Sequence, residues 1–313
     1  VEHDGERMPD AMVEEHLGEA SLVLGQTELN TDRLSRAAKL KAIINVEGNF
    51  LPNVDYATCF LRGIKVLGVG PAFARPVAEM GLGMALDDLR GISKGDAAFR
   101  AGEERYGFAG NRESTTLFNT DVGLIGFGNL GQALLPLLLP FHPTIRVFDP
   151  WLPEGLLRDF NVIPATLGDV LSNSRVIFVL AGVTQENRGM IGAREFAAMS
   201  DGVAFILLSR ADVVDWPSFM EATLTGRIRA ATDVFPQEPA PPDEPARSNP
   251  HILLSSHRAG GIRDAFYRIG EMTVDDSLLI LAGLPPVRLQ SARAETVARL
   301  RSKPGRSYGK GEI

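Results

Sequence analysis

The stretch DVGLIGFGNLGQALL, residues 121–135, decides the fold. It joins a short apolar run suited to a buried strand to a segment with apolar residues at helical spacing, and Gly126-x-Gly128-x-x-Gly131 stands between them. This spacing gains meaning where glycines close a strand and open a helix. Gly126 permits the tight turn, Gly128 lets backbone approach a pyrophosphate, and Gly131 lets the helix lie close on the strand. The N–H groups around Asn129 and Leu130 then face a ligand with the positive end of the helix dipole behind them. Asp149, followed by Pro150, ends the next predicted strand 18 residues after Gly131. A carboxylate there accepts hydrogen bonds from both ribose hydroxyls and repels a 2′-phosphate, so the expected cofactor is NAD and not NADP. Either feature alone would pass for an ordinary glycine-rich turn or an incidental acid; their joint placement favours the nucleotide.

Downstream, TIRVFDP, RVIFVL, GVAFILLS, RAATDV and ILLSSH read as strands separated by helices, giving with the first a doubly wound sheet of six strands. Pro136 falls inside the helix after the glycine loop and is expected to kink it. Upstream, from Ser21 to Gly70, SLVLG, TDRLSRAAKL, KAIINV and IKVLGVG alternate in the same way, so a first parallel α/β unit precedes the glycine loop. A helix opening near Pro76 and running to about Arg90 links the two. Residues 91–119 read as a helix fragment and an exposed loop, and Gln237 to Asn249 as a surface connection. A long helix from about Ile262 to Leu284 returns the chain to the first unit. The basic sequence after Ala292 reads as a solvated end. The expected division is 1–75 plus 268–300 for a discontinuous first domain, 76–267 for the nucleotide domain, and 301–313 for a flexible basic tail.

Composition agrees with two domains. The 313 residues fit a prior of roughly 150 per domain, and 44% hydrophobic with 23% charged residues excludes a largely disordered chain. The net charge of −7 argues against a nucleic-acid partner. The apolar runs Ala133–Phe141 and Ser277–Leu284 fall well short of the ~20 residues a spanning helix needs. Cys59, the lone cysteine, permits no intrachain disulfide, points to a reducing cytoplasm, and sits in a predicted helix where packing is its expected role. The five histidines show no metal-binding spacing, so no metal is expected. The opening VEHDGERMPD has neither Met nor a signal region, and the numbering is expected to begin inside the first domain.

Three spaced markers follow the nucleotide strand: Ser209-Arg210, then Asp233-Val-Phe-Pro-Gln-Glu238-Pro, then His257-Arg-Ala-Gly260. Each ends a predicted strand or follows one closely. Together they resemble the D-2-hydroxyacid dehydrogenase family, the NAD-dependent group that includes phosphoglycerate and glyoxylate/hydroxypyruvate reductases, over about Leu40 to Ala265. The resemblance implies two Rossmann-like domains, the first a flavodoxin-like substrate domain, and a homodimer built on the cofactor domain. It implies catalytic roles for Arg210, Glu238 and His257, a nicotinamide-holding role for Asp233, and cofactor contacts from Ala181, Gly182, Val183, Ser209 and Gly260. It also implies that backbone N–H groups of Val46, Glu47 and Gly48 meet the substrate carboxylate.

The chemistry accounts for those residue types. Reducing a 2-oxo acid sends hydride to carbon and a proton to the carbonyl oxygen, a task suited to an imidazolium near neutral pH. Glu238 would keep His257 protonated and aimed, while the permanent fork of Arg210 would hold a carboxylate and polarise the carbonyl. His251 competes for the acid's role but stands at the start of its strand, whereas ligands gather at carboxyl ends. Taken singly, each charged group is more commonly a surface or ion-paired residue.

The sequence also departs from the family pattern. Four residues, NFLP, separate Gly48 from Asn53-Val-Asp55 where two are usual, and Glu47 takes a place often held by a small polar residue. Ala181-Gly-Val-Thr184 replaces a Pro-containing segment, Ala211 follows Arg210 where Gly is common, Ser256 precedes His257 where Pro is common, and Ile262 replaces a frequent Thr. None removes a charged group. The expected activity is interconversion of a small anionic 2-oxo acid and a D-2-hydroxy acid between domains that close to exclude water. An NAD-sensing protein akin to the family's transcriptional corepressors, or a Rossmann protein without nucleotide, are the alternatives.

Overall fold

The computed structural model describes residues 8–299; the basic sequence 301–313 lies outside them. The chain divides into two compact units, one of residues 8–73, 184–186 and 263–299, the other of residues 74–183 and 187–262. The architecture is α/β with two separate sheets.

In the first unit β1 (Leu22–Leu24), β2 (Ala42–Asn45) and β3 (Lys65–Gly68) run parallel in that order. A strand the sequence did not announce, Gln290–Ser291, pairs antiparallel with β3. Asn30 and Asp55 cap the helices Thr31–Arg36 and Tyr56–Leu61 by accepting the N–H of Arg33 and of Thr58. Leu34, Ile43, Cys59 and Val66 fill one face of this sheet. Ile44, Leu67, Ile269 and Met272 fill the other, bringing in the long helix Arg263–Leu281. That helix is tied to the last strand by Asp276, fully buried, whose carboxylate accepts the N–H groups of Val287, Arg288 and Leu289.

The second unit holds a seven-stranded, wholly parallel sheet. Its strands are β4 (Asp121–Ile125), β5 (Thr144–Phe148), β6 (Ile163–Pro164), β7 (Val176–Val179), β8 (Val203–Leu207), β9 (Ile228–Thr232) and β10 (Ile252–Leu254). Their spatial order is 10-9-8-7-4-5-6, so the direction of winding reverses between β4 and β7. Strands β7, β8 and β9 are buried at every residue, the near-continuous apolar text of a sheet covered on both faces. Phe196, Phe205 and Phe219 pack together on one face with centroids 5.4–6.0 Å apart, each pair adding about 0.5–1.5 kcal/mol beyond the area it buries.

The expected six strands become seven because Ile163–Pro164 adds an edge strand too short to show periodicity, with proline tolerated at the edge. The linking helix runs Gly70–Arg90, six residues earlier than expected. Pro71, not Pro76, occupies its first turn, where a missing N–H costs no intrahelical bond, and Pro76 lies inside. Residues 91–119 contain a ten-residue helix, Ile92–Ala101, bounded by Gly91 and Gly102 at positive φ. Pro136 lies inside Asn129–Leu138, which passes into a 3-10 turn at Leu139–Phe141.

Candidate active site

The residues singled out in the second unit sit at the carboxyl ends of its strands. The glycine loop follows β4, beside the reversal in strand order where open α/β sheets bind ligands. Gly126 has φ 95°, and a Cβ there would stand 2.6 Å from the backbone N of Ala181, the residue entering the segment after β7. A Cβ on Gly131 would come within 2.9 Å of the Gly126 carbonyl oxygen. A Cβ on Gly128 would meet nothing within 4 Å, so the space before the Asn129–Leu138 helix is open to a ligand. Phe127, fully buried, anchors the loop edge-on against Phe160 with ring centroids 5.2 Å apart.

Asp149 follows β5 directly. Its Oδ2 accepts the Phe127 N–H at 2.8 Å and its Oδ1 the Trp151 N–H at 2.9 Å, so the carboxylate is fixed to the glycine loop with Pro150 exposed beside it. Across the reversal, Ala181, Gly182 and Val183 continue from β7, and the Asn187 side chain donates to the Gly182 carbonyl at 2.7 Å. Ser209, beyond β8, is buried with its Oγ lacking a hydrogen-bond partner. Open space at Gly128, the fixed Asp149 carboxylate and the orphaned Ser209 hydroxyl together fit a dinucleotide laid across this edge.

The charged groups follow on consecutive strands. Arg210 comes after β8, with its Nη1 donating to the Ser209 carbonyl at 2.6 Å. Asp233 follows β9, and its turn continues to Glu238. Beyond β10 comes His257, whose Nδ1 lies 2.5 Å from Glu238 Oε2. The side chains of His257 and Glu238 are 36% and 29% exposed, so the pair is held in a wall yet open to a reactant. Burial pushes the Glu238 carboxyl up, but the hydrogen bond to His257, the Phe235 N–H at 2.9 Å and the charges of His257 and Arg210 outweigh it and hold Glu238 below its ordinary range. Nδ1 being engaged, Nε2 is the ring nitrogen left to face a reactant.

Two features of this region escape a sequence reading. The Phe235 N–H aims Glu238, and the His257 backbone is left-handed at φ 51°, which costs an L-residue roughly 1–2 kcal/mol. Gly260 lies three residues further on, in the turn before the long helix. His251 stands before β10 at the opposite end, its ring where a Cβ on Gly226 would fall, 2.6 Å from its Cε1.

Val46, Glu47 and Gly48 belong to the first unit, exposed at the carboxyl end of β2. The four-residue stretch NFLP is anchored: Phe50 and Leu51 are buried, Phe50 lies against Gly68 and edge-on to Tyr56, and the Tyr56 hydroxyl donates to the Leu51 carbonyl at 2.6 Å. Cys59 is fully buried, and burial pushes its thiol up to about 11, which leaves it inert. Among the described residues no helix is long and apolar enough to cross a membrane.

Residues 82–259 match the D-isomer specific 2-hydroxyacid dehydrogenase, NAD binding domain, and NAD is the cofactor of this unit. A hydroxypyruvate reductase of Thermotoga maritima is 30% identical over 254 residues, covering 80% of each chain. A D-3-phosphoglycerate dehydrogenase of Archaeoglobus fulgidus is 28% identical over 269 residues, covering 85% of this chain and 50% of that protein. The chain thus spans about half the length of the curated phosphoglycerate dehydrogenases it matches. Among solved structures, a phosphoglycerate oxidoreductase from Rhizobium etli is similar with a TM-score of 0.84 and 46% identity, covering 90% of this chain and 86% of that one. With a doubly wound sheet, a glycine loop at its reversal and a match over more than half its length, the chain belongs to the D-isomer specific 2-hydroxyacid dehydrogenase family.

Proposed function

We propose that the protein interconverts a small 2-oxo acid and the corresponding D-2-hydroxy acid with NAD, and that Arg210, Glu238 and His257 carry the chemistry. The observation that supports this most is the 2.5 Å contact between His257 Nδ1 and Glu238 Oε2 at the ligand-binding edge of the sheet. When bound, the nicotinamide cofactor supplies or takes up the hydride. His257 Nε2 holds the proton that passes to the substrate oxygen on reduction and receives it on oxidation. Glu238, ionised at neutral pH, favours the imidazolium and fixes the ring, so the proton sits on the correct nitrogen. Arg210 balances the substrate carboxylate through paired N–H donors and polarises the carbonyl. Asp149 binds the adenosine ribose and disfavours a 2′-phosphate, while Gly126, Gly128 and Gly131 make room for the pyrophosphate near the first-turn residues Asn129 and Leu130. Ala181, Gly182, Val183, Ser209, Asp233 and Gly260 complete the cofactor's surroundings. The first unit serves the substrate, with backbone N–H groups of Val46, Glu47 and Gly48 as carboxylate donors.

The working form is a homodimer built on the second unit. Ile92, Phe99, Tyr106 and Phe108, 60–81% exposed on a segment that buries no side chain, support such a contact. The cytoplasm is the proposed compartment, resting on the lone buried thiol.

Oxidation of NADH by a panel of 2-oxo acids tests the reading. Wild-type protein is expected to turn over at least one of them, and His257→Ala to lower kcat by about 10²–10⁴-fold with NADH affinity retained. Tight NADH binding with no 2-oxo acid consumed would favour a nucleotide-sensing role instead.

A further inference from the structure

The turn that carries His257 rests on a single buried residue. Asp233 is 1% exposed, and three successive N–H groups converge on it. Its carbonyl oxygen accepts the His257 N–H at 2.7 Å, its Oδ1 the Arg258 N–H at 3.0 Å and its Oδ2 the Ala259 N–H at 2.9 Å. Only a carboxylate offers an acceptor at both positions; an amide would set an NH2 group against one of the two donors. The first of the three donors belongs to the left-handed residue, a conformation that persists in a non-glycine residue only when its surroundings impose it. Asp233 also begins the short turn in which the Phe235 N–H holds Glu238. Both members of the dyad are therefore set in place from one point, the carboxyl end of β9.

We infer that Asp233 is the positioning residue of the dyad: its carboxylate clamps the left-handed turn that brings the His257 ring against Glu238. This goes beyond a nicotinamide contact, and it rests on His257 being the proton carrier. The clamp predicts that losing one acceptor lets the turn relax toward ordinary backbone, swinging the ring off Glu238 while the glycine loop keeps its grip on the dinucleotide.

The test is Asp233→Asn, assayed for kcat, substrate KM, NADH binding and the downfield imidazole N–H proton resonance, assigned by its disappearance in His257→Ala. The expected result is kcat at saturating NADH reduced about 10²-fold, more than any loss of NADH affinity, and the resonance shifted or lost. An unchanged kcat with the resonance intact overturns the inference, as does a loss confined to NADH affinity, which would make Asp233 a cofactor contact alone. If His257→Ala itself keeps the wild-type rate, the functional reading falls and the inference with it; a slow His257→Ala beside a fast Asp233→Asn removes the inference only. Should Asp233→Asn fail to fold, His257→Gly, which accepts the left-handed turn without strain, is added to it. In a stabilising osmolyte that folds all four proteins, His257→Gly is expected to raise Tm by less in the Asp233→Asn background, whose turn has already relaxed, than in wild type, and equal gains would overturn the clamp.

Discussion

The two edges of the seven-stranded sheet use the same residue types to opposite ends. At the amino edge Arg175 donates to the Asp201 carbonyl, Arg227 to the carbonyls of Met199 and Phe196, and Arg229 to that of Glu113. Arg229 also pairs with Asp88 at 3.2 Å, the two side chains only 10% and 6% exposed. Burial pushes the Asp88 carboxyl up against the pull of Arg229, and burial with the nearby Arg229 charge pushes Arg175 down. At the carboxyl edge the dyad of His257 and Glu238 is about one-third exposed, with Arg210 on the neighbouring strand end. The arginines named at the amino edge are used in joining loops to strands; the dyad at the carboxyl edge is held in place with about a third of its side-chain surface exposed. Ionic pairing alone thus does not mark a site; a fixed, partly exposed pair beside the glycine loop's end of the sheet is what supports the proposed one.

The largest expected effect lies at the amino edge. Asp88→Ala leaves Arg229 buried without its counter-charge and should cost about 3–5 kcal/mol of stability, measured by urea unfolding, with kcat per folded molecule unchanged. A drop in kcat at full stability would erase the contrast between the edges. At the carboxyl edge, Arg210→Lys keeps the charge but loses the fork, and substrate KM should rise and kcat fall, together by about 10–100-fold in kcat/KM, with Tm close to wild type. Equal kinetics would remove Arg210 from the site. Asp149→Ala should narrow the preference for NADH over NADPH by about tenfold, read from their dissociation constants; an unaltered ratio would sever the carboxylate from the ribose.

The smallest effect is in pH dependence. A carboxyl held below its unfolded value contributes stability that is present above that value and lost as pH falls through the folded one. Below about pH 4.3 the stability difference between wild type and Glu238→Gln should therefore shrink as the pH is lowered further. A difference that grew over that acid range would reverse the sign assigned to Glu238.

What the sequence disclosed follows from how local each feature is. The glycine loop and Asp149 lie on adjoining strands of one βαβ unit, so their spacing in the text equals their geometry in space. The strand-end positions of Arg210, Asp233 and His257 were legible for the same reason, since each directly follows an apolar run. The clamp was not: it joins Asp233 to residues 25 and 26 positions later and depends on a left-handed histidine, a conformation histidine adopts more readily than most residues but that the text does not mark at any one position. Phe50 and Leu51 stand in the NFLP stretch between Gly48 and Asn53, where no periodicity marks them as buried, and only the facing Gly68 and Tyr56 explain their burial. Pro76 drew the helix start toward itself because two prolines, five residues apart, compete for the same signal.

The central claim is that His257 and Glu238 act as one unit in moving the proton, and a double-mutant cycle in kcat tests it most directly. His257→Ala, Glu238→Gln and the pair together are compared under NADH saturation with whichever 2-oxo acid the wild-type protein reduces. The double variant is predicted to be no slower than His257→Ala alone, because Glu238 has no task once the imidazole is gone. Losses that multiply would contradict the account, assigning Glu238 a separate role and leaving His257 without the partner that defines the site.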